Sequence, residues 1–165
     1  GITLQPELTE TALVITADEV LLQQILFNLI TNARDAMPHG GTITVATAEQ
    51  IIDNESNQST KGYPPGHYAV VMVRDTGQGI PEEIRQKIFE PFFTTKEVGK
   101  GTGLGLSMIY GTVKQHGGFV QAESTEGAGS CFSVYLPTAT ASLLPQTNST
   151  PENIEDAHHG KDPVN

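Results

Sequence analysis

The apolar positions Leu22, Ile25, Leu26, Leu29, Ile30, Ala33, Ala36 and Met37 recur at helical spacing and fall on one broad arc. Asp18 stands where an N-cap belongs, and the run 38–41 (PHGG) ends the pattern, so a helix is predicted over 19–37. The period then changes. Residues 42–52 alternate, with Ile43 and Val45 set against Thr42 and Thr44, as in a strand with one solvated face. Residues 53–66 are polar and carry prolines and glycines, which predicts a long loop, and 68–73 is a dense β-branched run that suits a central strand. A short helix is expected over 81–88, with Pro81 at its first position, and a third helix over 104–115. Strands over 119–122 and 130–136, joined by a glycine-bearing turn at 126–129, close the pattern, and 2–4 and 12–16 read as short strands before the first helix. The predicted class is α+β: a two-layer α/β sandwich with a mixed, mostly antiparallel sheet covered on one face by three helices. The domain is expected over 1–137. Residues 138–165 hold few hydrophobes among many Ser, Thr, Pro, Asn and Asp residues, and read as a disordered tail or linker.

Composition narrows the partners. The chain has 165 residues, enough for one domain with a real core, and its first residue, Gly1, reads as the start of an excised fragment. No stretch reaches the roughly 18 apolar residues of a membrane span, so a cytoplasmic domain is expected, any anchor of the parent lying elsewhere. The single cysteine, Cys131, excludes an internal disulfide and fits a reducing compartment. Nineteen acidic residues against nine basic ones leave a formal charge of −10. That argues against nucleic acid or anionic lipid as the main partner. A phosphate ligand would then need local positive groups or a metal ion to offset a repulsive field.

Such a ligand is suggested by residues 99–107, GKGTGLGLS, whose alternate glycines run straight into an apolar helix. Alternate glycines let backbone N–H groups close around an anion, and the following helix aims its unpaired N-terminal N–H groups at the same place. Glycine-rich loops also serve as plain connectors, so the run alone decides nothing. On the first helix, Gln24, Asn28 and Asn32 recur every four residues and line up their amides along one stripe. Asparagine is unfavourable inside a helix by roughly 0.5–0.7 kcal/mol against alanine. Beside a phosphate loop, an asparagine carbonyl is a suitable oxygen ligand for Mg²⁺ that is shared with substrate phosphates. Asp75 ends the central strand and opens DTGQGI: a turn-former in one reading, an acceptor for an exocyclic amine in the other, with Gly77 and Gly79 leaving room for a flat ring. In IFEPFFTTK (88–96), Phe89 suits a local core cluster and Phe92 or Phe93 an anchor for the segment beyond. Thr94, Thr95, Lys96 and Lys100, with Arg34, are the local groups that could offset the net charge.

In this order and spacing QILFNLITNARDAM, DTGQGI, IFEPFFTTK and GKGTGLGLS resemble the catalytic ATP-binding domain of bacterial sensor histidine kinases, and NARDAMPHGG and YGTVKQHGG resemble the nitrogen-regulatory and hybrid types. The resemblance runs from about Val14 to Pro137. It implies the fold shared with gyrase-type ATPases and heat-shock chaperones, and ATP and Mg²⁺ as ligands. By motif, Asn32 would ligate Mg²⁺, and Asn28 would sit at the catalytic position beside the phosphates. Asp75 would bind the adenine amine, with Gly77, Gly79 and Ile80 under the ring. Thr95, Lys96, Lys100, Gly101, Thr102, Gly103, Leu104, Gly105 and Leu106 would surround the phosphates, in or next to a lid over 93–102 that nucleotide orders. Ser130 stands where the family often has threonine. Many members carry a lysine three residues after the second asparagine, where this chain has Asp35 next to Arg34.

Histidine kinases pass the γ-phosphoryl group to a histidine on a helical dimerisation domain. None of His39, His67, His116, His158 and His159 has the helical, acidic context of such an acceptor, so the acceptor is expected on a separate domain of the same parent. A response-regulator receiver domain is the further partner implied. The fragment is expected to be monomeric and the parent a homodimer. Asn28 occupies the position where ATPases of the wider superfamily have a glutamate base, so slow turnover is expected in isolation. Two other readings fit the motifs: a serine kinase of the anti-sigma type, and a degenerate nucleotide-binding scaffold. A P-loop and a dinucleotide fingerprint do not fit, because the glycine spacing is wrong for both.

Overall fold

The computed structural model describes residues 1–53, 62–94 and 105–139. Its elements run β1 (Ile2–Glu7), α1 (Glu19–Asp35), β2 (Gly41–Ile52), β3 (Gly66–Asp75), α2 (Glu82–Arg85), α3 (Gly105–Gln115), β4 (Phe119–Thr125) and β5 (Gly129–Pro137). The five strands form one sheet in the order β1-β2-β3-β5-β4. β1 pairs parallel to β2, and every other pairing is antiparallel. The mixed, mostly antiparallel sheet and its central strand, β3, are as expected.

The asymmetry of each strand places the core. Val73 on β3 and Phe132, Val134 and Leu136 on β5 point to one face, where they meet Ile25, Leu29 and Ala33 of α1 and Ile109 and Val113 of α3. Burying such side chains stabilises the fold by about 1.5–3 kcal/mol each. α1 starts where Asp18 caps it, its Oδ1 accepting from Val20 N–H at 2.8 Å. It ends two residues before the expected Met37.

The opposite face of the sheet carries a second cluster: Ile52, Tyr68, Val70, Phe119 and Tyr135, with Tyr63 and Met72 packed against it. Tyr63 stacks on Phe119 at 3.9 Å between ring centroids, and Phe119 on Tyr135 at 4.3 Å. This aromatic stack is the reason the second face is not simply solvated.

Three expectations are corrected. Residues 12–16 form no strand; β1 already occupies the place beside β2, and only Ile15 bridges, to Thr138. The helix expected over 81–88 is a single turn, after which the bonds Ile84 O to Lys87 N–H, Lys87 O to Glu90 N–H and Glu90 O to Phe93 N–H carry the chain on in three-residue steps. Pro81 is extended (ψ 142°) and precedes the helix rather than opening it. The packed chain also runs past Pro137: Thr138 is buried, and Ala139 N–H bonds Val14 O at 2.7 Å. The tail reading for the remainder, 140–165, lies outside the described residues.

Candidate functional site

Asp75 ends β3 with 4% of its surface exposed, opposite Ser130, its register partner on β5. Its Oδ1 accepts from Gly77 N–H at 2.9 Å, and the carboxylate also accepts from the backbone N–H of Ser130. Burial pushes this carboxyl above the ordinary carboxylate range, and the two N–H bonds partly offset that shift. A carboxylate has about four acceptor positions, so two N–H bonds leave it able to take a further donor.

The loop after Asp75 is pressed between α1 and the β4–β5 hairpin. Gln78 N–H bonds the Ala36 carbonyl at 3.1 Å, and a Cβ at Gly77 would fall on that same carbonyl. Gly79 has φ +72°, and a Cβ there would collide with the carbonyl of Thr125. Both glycines are therefore demanded by the chain's own packing, whatever ring lies against them. Thr76 fixes the start of the loop: its Oγ1 accepts from Thr42 N–H at 3.0 Å and contacts Met37 Sδ at 3.6 Å.

Because Gly77 and Gln78 dock on Ala36, the loop lies one helical turn from Asn32, which in turn lies one turn from Asn28. Both asparagines are half-buried. Gly105, the first residue of α3, faces Asn28: a Cβ there would lie 3.8 Å from the Asn28 amide carbon. Gln24 and Asn28 border an open groove of about 640 Å³ together with Phe27, Gly105 and Met108. The fold thus brings Asp75, Gly77, Gly79, Ile80 and Ser130 together at one end, and Asn28, Asn32 and Gly105 on and against α1. Leu106 follows on α3 and packs against the core. Thr95, Lys96, Lys100, Gly101, Thr102, Gly103 and Leu104, and most of the expected lid, lie outside the described residues.

The phenylalanines divide cleanly. Phe89 and Phe93 pack against the core, whereas Phe92 is 75% exposed with φ +66°. Arg34 points to its neighbour: its Nη2 lies 3.1 Å from Asp35 Oδ1. Three residues that hold the loop were not among the candidates read from the sequence. Ala36 contributes only its carbonyl, Thr76 reads as a turn residue, and Ser124 sits at the end of a strand. For Ser124 the one available signal was its place just before the 126–129 turn that leads to Ser130.

Residues 17–140 match the family of histidine kinase-, DNA gyrase B- and HSP90-like ATPases. Among its relatives is the sensor kinase CckA of Brucella abortus (strain 2308), 50% identical over 123 residues, which are 74% of this chain and 13% of that protein. The chain therefore spans a small part of that relative. A crystallised catalytic domain of the histidine kinase ThkA, in a nucleotide-free form, superposes with a TM-score of 0.63 at 34% identity, covering 82% of this chain and 80% of that one. Full-length ShkA in complex with AMPPNP superposes with a TM-score of 0.64 at 27% identity, over 84% of this chain and 26% of that one. The chain belongs to the histidine kinase-, DNA gyrase B- and HSP90-like ATPase family, as a catalytic ATP-binding domain of the sensor histidine kinase type.

Proposed function

We propose that this domain binds ATP with Mg²⁺ and presents the γ-phosphoryl group to a histidine on a separate helical dimerisation domain, from which a response-regulator receiver domain takes it. The observation that carries the reading is Asp75: a buried carboxylate, held by two backbone N–H groups, with acceptor capacity left over. It accepts the exocyclic amine of adenine; guanine would set a carbonyl oxygen against it. Phosphoryl transfer asks for little covalent chemistry from the protein, so the remaining residues act by positioning and electrostatics.

Asn28 and Asn32 supply neutral hard-oxygen donors on adjacent turns of α1, and Gly105 brings the N-terminal end of α3 to Asn28. This donor set fits a magnesium ion shared with phosphates: Asn32 would hold it, and the ion would neutralise charge on the phosphate oxygens. Lys96 and Lys100 add positive charge. Asn28 has no basic oxygen with which to activate water, which favours transfer to a docked acceptor over hydrolysis.

The partner surface is read from α1 and α3. Val20, Phe27 and Met108 are exposed apolar side chains around the groove that Asn28 and Gly105 border. We assign them to docking of the helical acceptor domain, next to the phosphate end of the site.

Calorimetric titration with ATP and Mg²⁺ tests the site, with Asp75→Asn in parallel: binding by the unmutated chain and loss in the variant are expected. Supplying the helical domain of the parent in trans should then yield an acid-labile phosphohistidine. An acid-stable phosphoserine would move the domain to the serine-kinase class, and a chain that binds no nucleotide would be a scaffold.

A further inference from the structure

We infer that Ser124 of β4 is a positioning residue for the base end of the nucleotide site: its hydroxyl locks the 76–80 loop to the β4–β5 hairpin and sets the polarity of Ser130. The inference rests on the nucleotide reading of Asp75. Ser124 touches none of the reacting groups.

Three hydrogen bonds converge on this one oxygen. Ile80 N–H donates to Ser124 Oγ at 2.7 Å, Ser124 Oγ donates to the Gly129 carbonyl at 2.9 Å, and the Ser130 hydroxyl lies 2.9 Å away. A serine hydroxyl has one proton and two lone pairs. Its proton goes to Gly129, and one lone pair accepts from Ile80. The remaining lone pair can only accept, so Ser130 must be the donor in the bond between the two hydroxyls. The Ser130 oxygen is thereby left with acceptor capacity alone. Ser130 is 6% exposed and gives its backbone N–H to the Asp75 carboxylate, itself an acceptor. At Asp75 and Ser130 the base end of the site consequently presents acceptors. That polarity suits an amine and opposes a carbonyl.

The rest of the hairpin points the same way. Gly127 N–H bonds the Gln78 carbonyl at 2.7 Å, so the loop is held at both Gln78 and Ile80. From α2, Arg85 Nη2 donates to the Ser124 carbonyl at 2.9 Å and fixes the strand that carries the hydroxyl. Replacing Ser124 by alanine would leave the Ile80 N–H without its acceptor, free the loop on one side and let the Ser130 hydroxyl rotate.

The test compares Ser124→Ala, Ser124→Thr and the core variant Val134→Ala in calorimetric titrations of the full chain with ATP and with GTP. Ser124→Ala should weaken ATP binding about ten-fold and narrow the ATP-over-GTP preference. Ser124→Thr, which keeps the hydroxyl, should restore both, and Val134→Ala should lower the melting temperature without changing the preference. An unchanged preference in Ser124→Ala would overturn the inference, as would an equal change in Val134→Ala. Amide exchange of the unmutated chain decides the matter even if Ser124→Ala does not fold. Ile80 N–H should be as protected as the β4–β5 ladder, and rapid exchange would overturn the clamp. Failure of the unmutated chain to bind ATP would instead remove the nucleotide reading, and the Ile80 amide would still report on the clamp by itself.

Discussion

Asp75 sets binding against stability within one side chain. Burial raises its folded-state pKa, so the fold prefers the neutral acid, and Asp75 contributes most to stability below its unfolded pKa of about 3.9. That contribution fades as the pH rises through the higher folded value. Asp75→Asn removes the titration. Lowering the pH from 7 to about 4 should therefore raise the melting temperature of the unmutated chain relative to the variant, and thermal melts across that range check the sign. Gly79 gives a second prediction at this scale. With φ at +72° and the Thr125 carbonyl where a Cβ would go, Gly79→Ala should cost about 1–3 kcal/mol in chemical denaturation. The turn that Asp75 opens was legible from DTGQGI, but the packing reason for its glycines was not. They read as room for a ring, whereas Ala36 fills the space beside Gly77 and Thr125 the space beside Gly79, each more than 40 residues away in the chain. Contacts across such separations leave no local pattern, and Ser124 went unnoticed for the same reason.

At the scale of elements, α1 was the most legible part because several local signals agree: a capping aspartate, an apolar arc and a terminating Pro-Gly run. Asp18→Ala should remove the bond to Val20 N–H and cost about 1 kcal/mol. Leu29→Ala, at a position only 1% exposed, should cost about 2–5 kcal/mol through lost contact and a residual cavity. Urea unfolding of both variants checks the ordering, which separates helix capping from core packing on one helix. Elements whose form is decided by their neighbours were read less well. Residues 12–16 have strand composition but find the sheet edge occupied by β1, and the helix after Pro81 tightens into turns that seat Ile88 and Phe93 against the core. The aromatic stack on the far face depends on Tyr63, which the sequence places in a polar loop. Stacking it on Phe119 joins two residues far apart in the chain.

For the molecule as a whole, the proposed function assigns nucleotide binding and partner docking to neighbouring surfaces that meet at the groove bordered by Asn28 and Gly105. In the proposed reading, the base would be held from β3, β5 and the loop on the end of α1. Val20, Phe27 and Met108 are exposed on α1 and α3 around that groove. All three are exposed apolar side chains, so in the proposed reading apolar contact contributes much of the docking energy. Phe27 is 71% exposed, and burying a phenylalanine is worth about 1.5–3 kcal/mol. Phe27→Ser should therefore weaken docking of the helical acceptor domain by about ten- to a hundred-fold while leaving the affinity for ATP within about two-fold. Titrating the rate of phosphohistidine formation against the concentration of the helical domain checks this, with calorimetry of ATP binding alongside. A higher half-saturating concentration with unchanged nucleotide affinity is the expected result. Parallel loss of both would place Phe27 in the nucleotide site and make the two surfaces one.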